Sequence, residues 1–328
     1  MKKVGFSVVG LGMGYGRSML INDLEGANLA SVVDLQEDLA KKVADELGCK
    51  WTTKIDDALG DDEVDVMVII TPSGTHGPLV IRCLEAGKHV MVTKPMEVTV
   101  EKCEAMLEAQ RKSGKLLGTD FQRRYEEPYA RAKYALENGL LGKPVLGEAR
   151  LKWYRGQDYY DRGTGWRGTW KMDGGGALAN QSIHEIDVLT WLMGMPKKVI
   201  GQISTLTHDI ETEDLGMAML EFESGAVGTV LGTTTGPVRQ YEGLEIHGTE
   251  GAFRTTSGEE VWQFTEGNED RLEKIQRFTP FMNAYENFVA TLRDGAEMIC
   301  SAEAGRDTTK VLCAIYESGH NGHKPVYL

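Results

Sequence analysis

The chain has 328 residues, of which 41% are hydrophobic and 26% are charged, and its formal net charge is −13. This length allows about two domains with cores of their own, and the composition is that of a globular protein. The acidic balance argues against nucleic acid or an anionic membrane surface as a partner, because both attract basic proteins.

The sequence carries no clear membrane or secretion signal and no cysteine pattern typical of disulfides or metal sites. No apolar run approaches the roughly 20 residues that cross a bilayer, and the start of the chain is too short for a signal peptide before its glycines begin. The five cysteines are scattered and form no CxxC pair. We therefore expect no membrane span, no disulfide framework and a cytoplasmic location.

A glycine-rich turn lies between two apolar segments near the N-terminus. Residues 4–9 form a strand-like run, a helical pattern follows the turn, and residues 28–33 form a second strand. Glycines let the backbone approach a pyrophosphate, and the helix start donates N–H groups to it. The third position of the GxGxxG pattern is Tyr15, so the match is imperfect. The residues predicted to contact the cofactor here are Gly10, Gly12, Met13 and Gly14.

The second strand ends at Asp34, close to the spacing of the dinucleotide fingerprint. Its carboxylate could accept hydrogen bonds from the adenosine ribose and would repel a 2′-phosphate. Leu35 and Gln36 supply no arginine to offset that repulsion. The pattern favours NAD over NADP, although a capping or turn role for Asp34 is also open.

Strands and helices continue to alternate as far as residue 121. Residues 64–70 form a near-continuous apolar strand, which is typical of a sheet covered on both faces. Another strand, at residues 88–92, ends in Thr93, Lys94 and a proline. We predict a doubly wound parallel sheet over residues 1–121, with Lys94 at its carboxyl edge, where ligands bind. A solvated loop lysine is the alternative.

From residue 122 the pattern changes to long runs rich in β-branched residues. We predict a second α/β domain over residues 122–328, with a large, mainly antiparallel sheet that is open on one face. Pairing of subunits is one way to cover that face. The predicted strands are residues 145–154, 199–207, 215–222, 226–235, 244–247 and 261–264.

A run of three glycines, residues 174–176, precedes a helical apolar pattern that starts at Ile183. We interpret the run as a flexible loop of close approach that delivers Asn180 and His184 to the start of a helix. The alternative is a tight turn followed by a histidine of the core.

Together these motifs resemble the Gfo/Idh/MocA family of oxidoreductases over essentially the whole chain. The resemblance is carried by residues 10–12, by TPS at residues 71–73 with His76, and by AGKHV at residues 86–90 leading to Lys94. It continues with QRRY at residues 122–125, WRGTW at residues 166–170 and the glycine run through His184.

The resemblance implies a Rossmann domain joined to an α/β domain whose open sheet mediates dimers or tetramers. It implies NAD(P)-dependent oxidation or reduction of sugars, cyclitols or their derivatives. It maps catalytic roles onto Lys94, Asn180 and His184. Further cofactor contacts are expected from Thr71, Pro72, Ser73, His76, Thr93, Gln122, Trp166 and Arg167, and substrate contacts from Arg124, Tyr154, Tyr160, Asn180 and His184.

The chain departs from the family pattern twice. Thr93 stands where the family has a glutamate, and Asn180 stands where it has an aspartate. An amide cannot titrate, so Asn180 can only orient a substrate hydroxyl, which leaves His184 as the acid/base group.

Oxidation of a secondary alcohol transfers a hydride and releases a proton. An imidazole, with an ordinary pKa near 6.5, is suited to take that proton. Lys94 would hydrogen-bond the same oxygen and stabilise its developing charge. Asp187, three residues after His184, could fix the tautomer of the ring or bond nearby backbone. Aromatic residues at 153–160 suit the apolar face of a sugar ring, and no metal-ligand motif is found.

Two other functions remain open from the sequence. The same residues could serve a glycoside hydrolase that oxidises its sugar transiently with bound NAD, or the protein could be a non-catalytic NAD-binding sensor.

Overall fold

The computed structural model describes residues 3–236 and 240–328, and these form two compact units. The first unit contains residues 1–97, 101–120 and 281–306, and the second contains residues 98–100, 121–280 and 307–328. The sequence predicted one boundary, between residues 121 and 122. Residues 98–100 and 281–306 are grouped differently from that prediction.

The first unit contains a six-stranded parallel sheet in the order β3-β2-β1-β4-β5-β6. Its order reverses between β1 and β4, which is the topological switch point of a Rossmann fold. The strands are β1 (Val4–Val9), β2 (Ala27–Val33), β3 (Lys50–Thr52), β4 (Val66–Ile69), β5 (His89–Thr93) and β6 (Leu117–Asp120).

Five helices connect these strands, and a further helix from late in the chain belongs to the same unit. Strands β1 and β4 are buried along their whole length, as expected when helices cover both faces of a sheet. The helices are α1 (Leu11–Asp23), α2 (Glu37–Leu47), α3 (Ile55–Leu59), α4 (His76–Glu85) and α5 (Val100–Ser113), and the late helix, α9, is Ala284–Asp294.

Local sequence explains where two of these helices end or begin. Helix α2 ends at Gly48, whose left-handed backbone (φ 70°) returns an N–H to the carbonyl of Ala44. Helix α9 begins at Asn283, whose side chain accepts hydrogen bonds from the N–H groups of Tyr285 and Glu286.

The second unit contains an eight-stranded sheet in the order β13-β12-β11-β7-β10-β9-β8-β14. All neighbouring strands are antiparallel except β7 and β10, which are parallel. The strands are β7 (Pro144–Lys152), β8 (Pro196–Ser204), β9 (Leu215–Phe222), β10 (Val227–Thr233), β11 (Tyr241–Gly248), β12 (Gly251–Thr256), β13 (Glu259–Phe264) and β14 (Val326–Tyr327).

Helices cover one face of this sheet. A Cβ placed on Gly147 of β7 would lie 2.7 Å from a methyl of Leu189, so a neighbouring helix packs directly on the strand. On β9, Ala218 and Leu220 are buried, whereas Met217 and Met219 are 47% and 51% exposed on the other face. The helices of this unit are α6 (Glu127–Glu137), α7 (Gln157–Asp161), α8 (Ile183–Met193) and most of α10 (Ala302–His320).

No helix among the described residues is long and apolar enough to cross a membrane.

Candidate active site

The glycine turn after β1 leaves room for a phosphate group. Gly10 has φ +90°, and a Cβ there would lie 2.4 Å from the carbonyl oxygen of Ile70, so a side chain is excluded. A Cβ on Gly12 would meet no atom within 4 Å, which shows that the first turn of α1 faces open space. This open backbone at a helix start fits the pyrophosphate of NAD. Met13 is exposed beside it.

Gly14 explains the imperfect GxGxxG pattern. A Cβ at Gly14 would lie 3.2 Å from Val8 Cγ1 of β1, which is closer than an ordinary contact. Close packing of helix on strand is the role of the third glycine of the fingerprint. Gly14 provides this close packing one position before the third glycine of the fingerprint. Tyr15 occupies that third position, and its hydroxyl donates a hydrogen bond to Glu46 (2.5 Å).

Asp34 directly follows β2, and its carboxylate accepts hydrogen bonds from the N–H groups of Leu11 (2.7 Å) and Gln36 (2.9 Å). These contacts are typical of a turn residue, which is the alternative role that the sequence left open for Asp34. They also hold the carboxylate beside the start of α1, where a fingerprint acid contacts the ribose.

The loop after β4 is held by its own hydroxyl groups. Thr71 and Thr75 share a hydrogen bond of 2.7 Å, and Thr75 donates to the carbonyl of Pro72 at 2.6 Å. Ser73 is buried at the start of a single 3-10 turn. This loop, like Gly10 and Asp34, lies at the carboxyl end of a strand.

His76 is fully buried at the start of α4. Its Nδ1 lies 3.0 Å from the carbonyl oxygen of Pro95 and its Nε2 lies 2.9 Å from that of Thr71. Burial lowers the pKa of His76. These contacts indicate that His76 joins the loops after β4 and β5, and the cofactor contact implied by the resemblance stays a prediction.

Lys94 follows β5 at the same edge of the sheet, next to the nearly buried Thr93. The residues expected to bind the nucleotide therefore follow β1, β2, β4 and β5 in turn. Because all four strands are parallel, their carboxyl ends share one edge.

In the second unit, Asn180 lies in a short π-helix, Ala177–Gln181, that leads into α8. Its amide nitrogen donates to Asp173 Oδ1 (2.8 Å), and its amide oxygen accepts from the hydroxyl of Tyr159 (3.3 Å). The other oxygen of Asp173 accepts from the N–H of Gly168 (2.9 Å). Hydrogen bonds therefore hold the amide group of Asn180 on both sides.

His184 lies in the first turn of α8 and is partly exposed. Its ring packs edge-on against Phe121, with centroids 6.3 Å apart. Asn180 precedes it by four residues across the π-helix, a distortion that is frequent at functional sites.

The glycine run is packed rather than flexible. Gly174, Gly175 and Gly176 are all buried, and a Cβ on Gly176 would lie 1.8 Å from the carbonyl oxygen of Glu213. The sequence prediction of close approach is supported, but the approach is to the protein itself.

Glu213 holds this run in place. Its fully buried carboxylate accepts hydrogen bonds from the N–H groups of Gly176 (2.9 Å) and Leu178 (2.8 Å) and from the hydroxyl of Tyr316 (3.0 Å). No local pattern in the sequence points to Glu213, because its partners lie far away along the chain.

Other expected substrate residues have different surroundings. Tyr160 is buried, and its hydroxyl shares a hydrogen bond of 2.8 Å with Thr234, whereas its neighbour Tyr159 contacts Asn180. Arg124 is also buried, in a bidentate pair with Asp187 (2.6 and 2.9 Å). Asp187 is therefore the ion-pair partner of Arg124 rather than a partner of the His184 ring. Tyr154 and Gln122 are exposed.

Comparison with known proteins decides the family. Family models match residues 4–121, described as an oxidoreductase family with an NAD-binding Rossmann fold, and residues 129–254, described as a GFO/IDH/MocA C-terminal domain. The scyllo-inositol 2-dehydrogenase (NAD(+)) of Bacillus subtilis is 31% identical over 76% of this chain and 73% of its own. The chain belongs to the Gfo/Idh/MocA family.

Solved structures agree with this assignment. The WlbA dehydrogenase of Bordetella pertussis, solved with NADH and UDP-GlcNAcA, superposes with a TM-score of 0.91 at 29% identity, covering 100% of this chain and 98% of its own. A WlbA dehydrogenase from Chromobacterium violaceum, with the same ligands, gives 0.89 at 31% identity, covering 100% and 96%.

Among the residues that the structure describes, no group of three or more His, Cys, Asp or Glu side chains could hold a metal ion.

Glu213→Gln is expected to change how the stability of this family member depends on pH. Burial raises the pKa of Glu213 to about 7 from its ordinary value of 4.5. Because the folded state then holds the proton more tightly, the contribution of Glu213 to stability is greatest below pH 4.5 and is lost as the pH rises towards 7. Denaturant unfolding of the wild type and of Glu213→Gln between these values should show the loss only in the wild type.

The matched control is Glu221→Gln, because Glu221 lies on β9 and pairs with Lys197 in solvent. Its lysine neighbours hold the pKa of Glu221 low, at about 2, so its replacement should leave the slope over this range intact. An identical slope for the wild type and Glu213→Gln would contradict the assignment.

Proposed function

We propose that this protein oxidises a secondary hydroxyl of a sugar, a cyclitol or a derivative of either, with NAD as hydride acceptor. The observation that supports this most is the position of Lys94. It follows β5 at the sheet edge where Gly10 and Asp34 follow β1 and β2. A cation at the nucleotide-binding edge is what alkoxide stabilisation needs.

The chain's own residues would hold NAD in the first unit. The backbone around Gly10 and Gly12 would receive the pyrophosphate, and Asp34 would accept the hydroxyls of the adenosine ribose. The cofactor contacts of residues 71–73, His76, Thr93, Gln122, Trp166 and Arg167 are also predictions. Bound NAD supplies the acceptor for the hydride.

Three side chains divide the work on the substrate. His184 takes the proton of the hydroxyl as the C–H bond breaks, and it returns that proton in the reverse direction. Lys94 hydrogen-bonds the reacting oxygen and stabilises its negative charge. Asn180, held by Asp173 and Tyr159, orients the sugar but exchanges no proton.

A screen of inositols, sugars, glycosides and UDP-GlcNAcA with NAD tests the proposal. NADH absorbance should rise with at least one compound, whose product should be lighter by two hydrogens. Release of an aglycone without net NADH would instead assign a hydrolase that recycles its cofactor. Binding of NAD with no turnover of any compound would favour a sensor.

We also propose that the open face of the second unit's sheet pairs with a second copy of the chain. Met217, Met219 and Val227 are exposed apolar residues on neighbouring strands of this face. Light scattering should give the mass of two or four chains, and Met217→Glu with Met219→Glu should lower it to one.

Leu35→Glu is the control for this prediction, because Leu35 is an exposed apolar residue of the first unit. It should leave the mass unchanged. A single-chain mass for the wild type would contradict the proposed pairing.

A further inference from the structure

The side chain of Glu213 binds the backbone at the start of the segment that carries Asn180. Its Oε2 accepts from the N–H of Gly176 (2.9 Å), and its Oε1 accepts from the N–H of Leu178 (2.8 Å). The N–H between them, that of Ala177, donates to the carbonyl oxygen of Glu213 (3.0 Å). The first N–H groups of a helix have no partners within the helix. One residue therefore supplies acceptors to three successive donors where the π-helix starts.

Gly176 connects Glu213 to Asn180 through its own backbone. Its N–H donates to the carboxylate of Glu213, and its carbonyl oxygen accepts from the N–H of Asn180 (3.0 Å). A Cβ on Gly175 would lie 2.0 Å from the hydroxyl oxygen of Tyr316, which itself donates to Glu213 (3.0 Å). Because the backbone touches both side chains, a change in these hydrogen bonds displaces the backbone that positions Asn180.

The hydrogen bonds of Glu213 fit an ionised carboxylate. Both oxygens accept backbone N–H groups, and Oε1 also accepts the hydroxyl of Tyr316. A protonated oxygen accepts hydrogen bonds more weakly than an ionised one, and its new O–H would face groups that are already donors. Protonation of Glu213 is therefore expected to loosen the start of the π-helix.

Two tyrosines and two aspartates surround Glu213. Tyr316 of α10 and Tyr160 of α7 face it, and burial raises the pKa of both tyrosines, so both keep their protons near neutral pH. Asp214 follows Glu213 in the chain, and Asp173 lies beside Tyr316. Burial raises the pKa of Glu213 to about 7. Its ionised fraction therefore grows from about one tenth at pH 6 to about nine tenths at pH 8.

We propose that Glu213 is a positioning residue of the reaction: its ionised carboxylate holds Asn180 in the place where the sugar binds, and uptake of one proton releases that hold. The inference rests on the proposed function, because it takes Asn180 as the residue that orients the sugar. Because Glu213 is buried, it acts through the backbone of Gly176 rather than by touching the sugar. Burial disfavours the same ionised form, so the charge that positions the site also lowers stability.

The charge of Glu213 can be followed at Gly176 without a substrate. The chain has Gly–Gly pairs only within residues 174–176. Labelling glycine with ¹³C at the carbonyl and ¹⁵N at the amide therefore selects the NMR signals of Gly175 and Gly176. In the full chain, the Gly176 signal should titrate between pH 6 and pH 8 with a midpoint of about 7, and Glu213→Gln should abolish this titration.

Tyr316→Phe gives a second variant with its own expected direction. The ionised carboxylate loses a hydrogen-bond donor, so the midpoint at Gly176 should move to higher pH. The matched control is Tyr327→Phe, because Tyr327 is 75% exposed on β14. It should leave the midpoint unchanged.

Turnover tests whether this charge reaches the substrate. At each pH, kcat/KM of the wild type is divided by that of Glu213→Gln, with saturating NAD and the compound that gives most NADH in the screen. The titration of His184 cancels, because both proteins contain it. The ratio should be about tenfold at pH 8 and about twofold at pH 6, since the wild type is then mostly protonated at Glu213. A structural defect alone would give the same ratio at both pH values.

Two further variants assign the effect. Glu221→Gln removes an exposed carboxylate of β9 and should keep kcat/KM within about twofold of the wild type at both pH values. In a double-mutant cycle at pH 8, Glu213→Gln should lower kcat/KM about tenfold in the wild type and less than about threefold in Asn180→Ala. Equal losses in the two backgrounds would mean that Glu213 does not act through Asn180 and would overturn the inference.

A Gly176 signal that does not titrate, or that titrates equally in Glu213→Gln, would also overturn the inference. So would NADH formation with a constant ratio of kcat/KM, although the dehydrogenase would then stand. If Glu213→Gln does not fold, Tyr316→Phe takes its place, and an unmoved midpoint counts against the inference. A titrating Gly176 without NADH from any compound would instead sink the proposed dehydrogenase and leave the hold of Glu213 on the segment in place.

Discussion

Replacing His184 with alanine is expected to lower kcat for sugar oxidation by about 10²–10⁴-fold. Without the imidazole, the proton of the hydroxyl has no acceptor as the hydride leaves. Lys94→Ala should lower kcat by about 10²–10³-fold, because the developing alkoxide loses its cation. Initial rates on the sugar that the screen selects measure both effects, and the affinity of His184→Ala for NAD, measured by fluorescence, should stay near that of the wild type.

Two control variants match these changes in residue type. His247 is partly exposed on β11 and pairs with Glu245, and Lys112 is exposed on α5 and pairs with Glu108. His247→Ala and Lys112→Ala should both stay within about threefold of the wild-type kcat. If folded His184→Ala and Lys94→Ala variants also keep a kcat within about threefold of the wild type, the catalytic roles assigned to His184 and Lys94 are wrong.

The first unit could be predicted from the sequence because its signals are local. Apolar strands buried on both faces alternate with helices, and each strand ends in the polar residues that matter, such as Asp34 and Lys94. The role of Gly14 could not be predicted from the sequence, because its contact with Val8 depends on how helix α1 packs against strand β1. The helical pattern at residues 281–293 predicts a helix there, but a helical pattern does not indicate which unit the helix joins.

The second unit's candidate site depends on contacts between distant residues. The sequence singled out Asn180 and His184, yet Asp173, Tyr159 and Glu213 hold their surroundings through side-chain contacts. Glu213 reaches Gly176 across 37 positions of the chain. No periodicity of 2 or 3.6 residues encodes such a pair, so the sequence could suggest candidate site residues but not the contacts that hold them.

The pair of Arg124 and Asp187 is the sharpest difference from the sequence interpretation. The resemblance suggested a substrate contact for Arg124, and Asp187 was weighed as a partner of His184. In the structure the two side chains are almost fully buried and bond each other through two N–H groups, and Thr308 donates its hydroxyl to Asp187 (2.9 Å). Trp191 lies beside the guanidinium, 5.4 Å away.

Arg124→Met is therefore expected to lower the free energy of unfolding by about 3–5 kcal/mol, because it leaves the Asp187 carboxylate buried without its countercharge. Denaturant unfolding measures the loss. Arg162→Met is the control, since the pair of Arg162 and Asp158 is exposed and spans one helical turn. Its replacement should cost at most about 1 kcal/mol.

A double variant separates a structural role from a substrate role. Arg124→Met combined with Asp187→Leu removes both charges, so it should be more stable than Arg124→Met alone and approach the wild type to within about 2 kcal/mol. The remaining deficit is expected because Thr308 loses its acceptor. If the ion pair is structural, this variant also keeps a KM for the sugar near that of the wild type. A recovered stability with a KM raised tenfold or more, and unchanged affinity for NAD, would return Arg124 to the substrate contact that the sequence suggested.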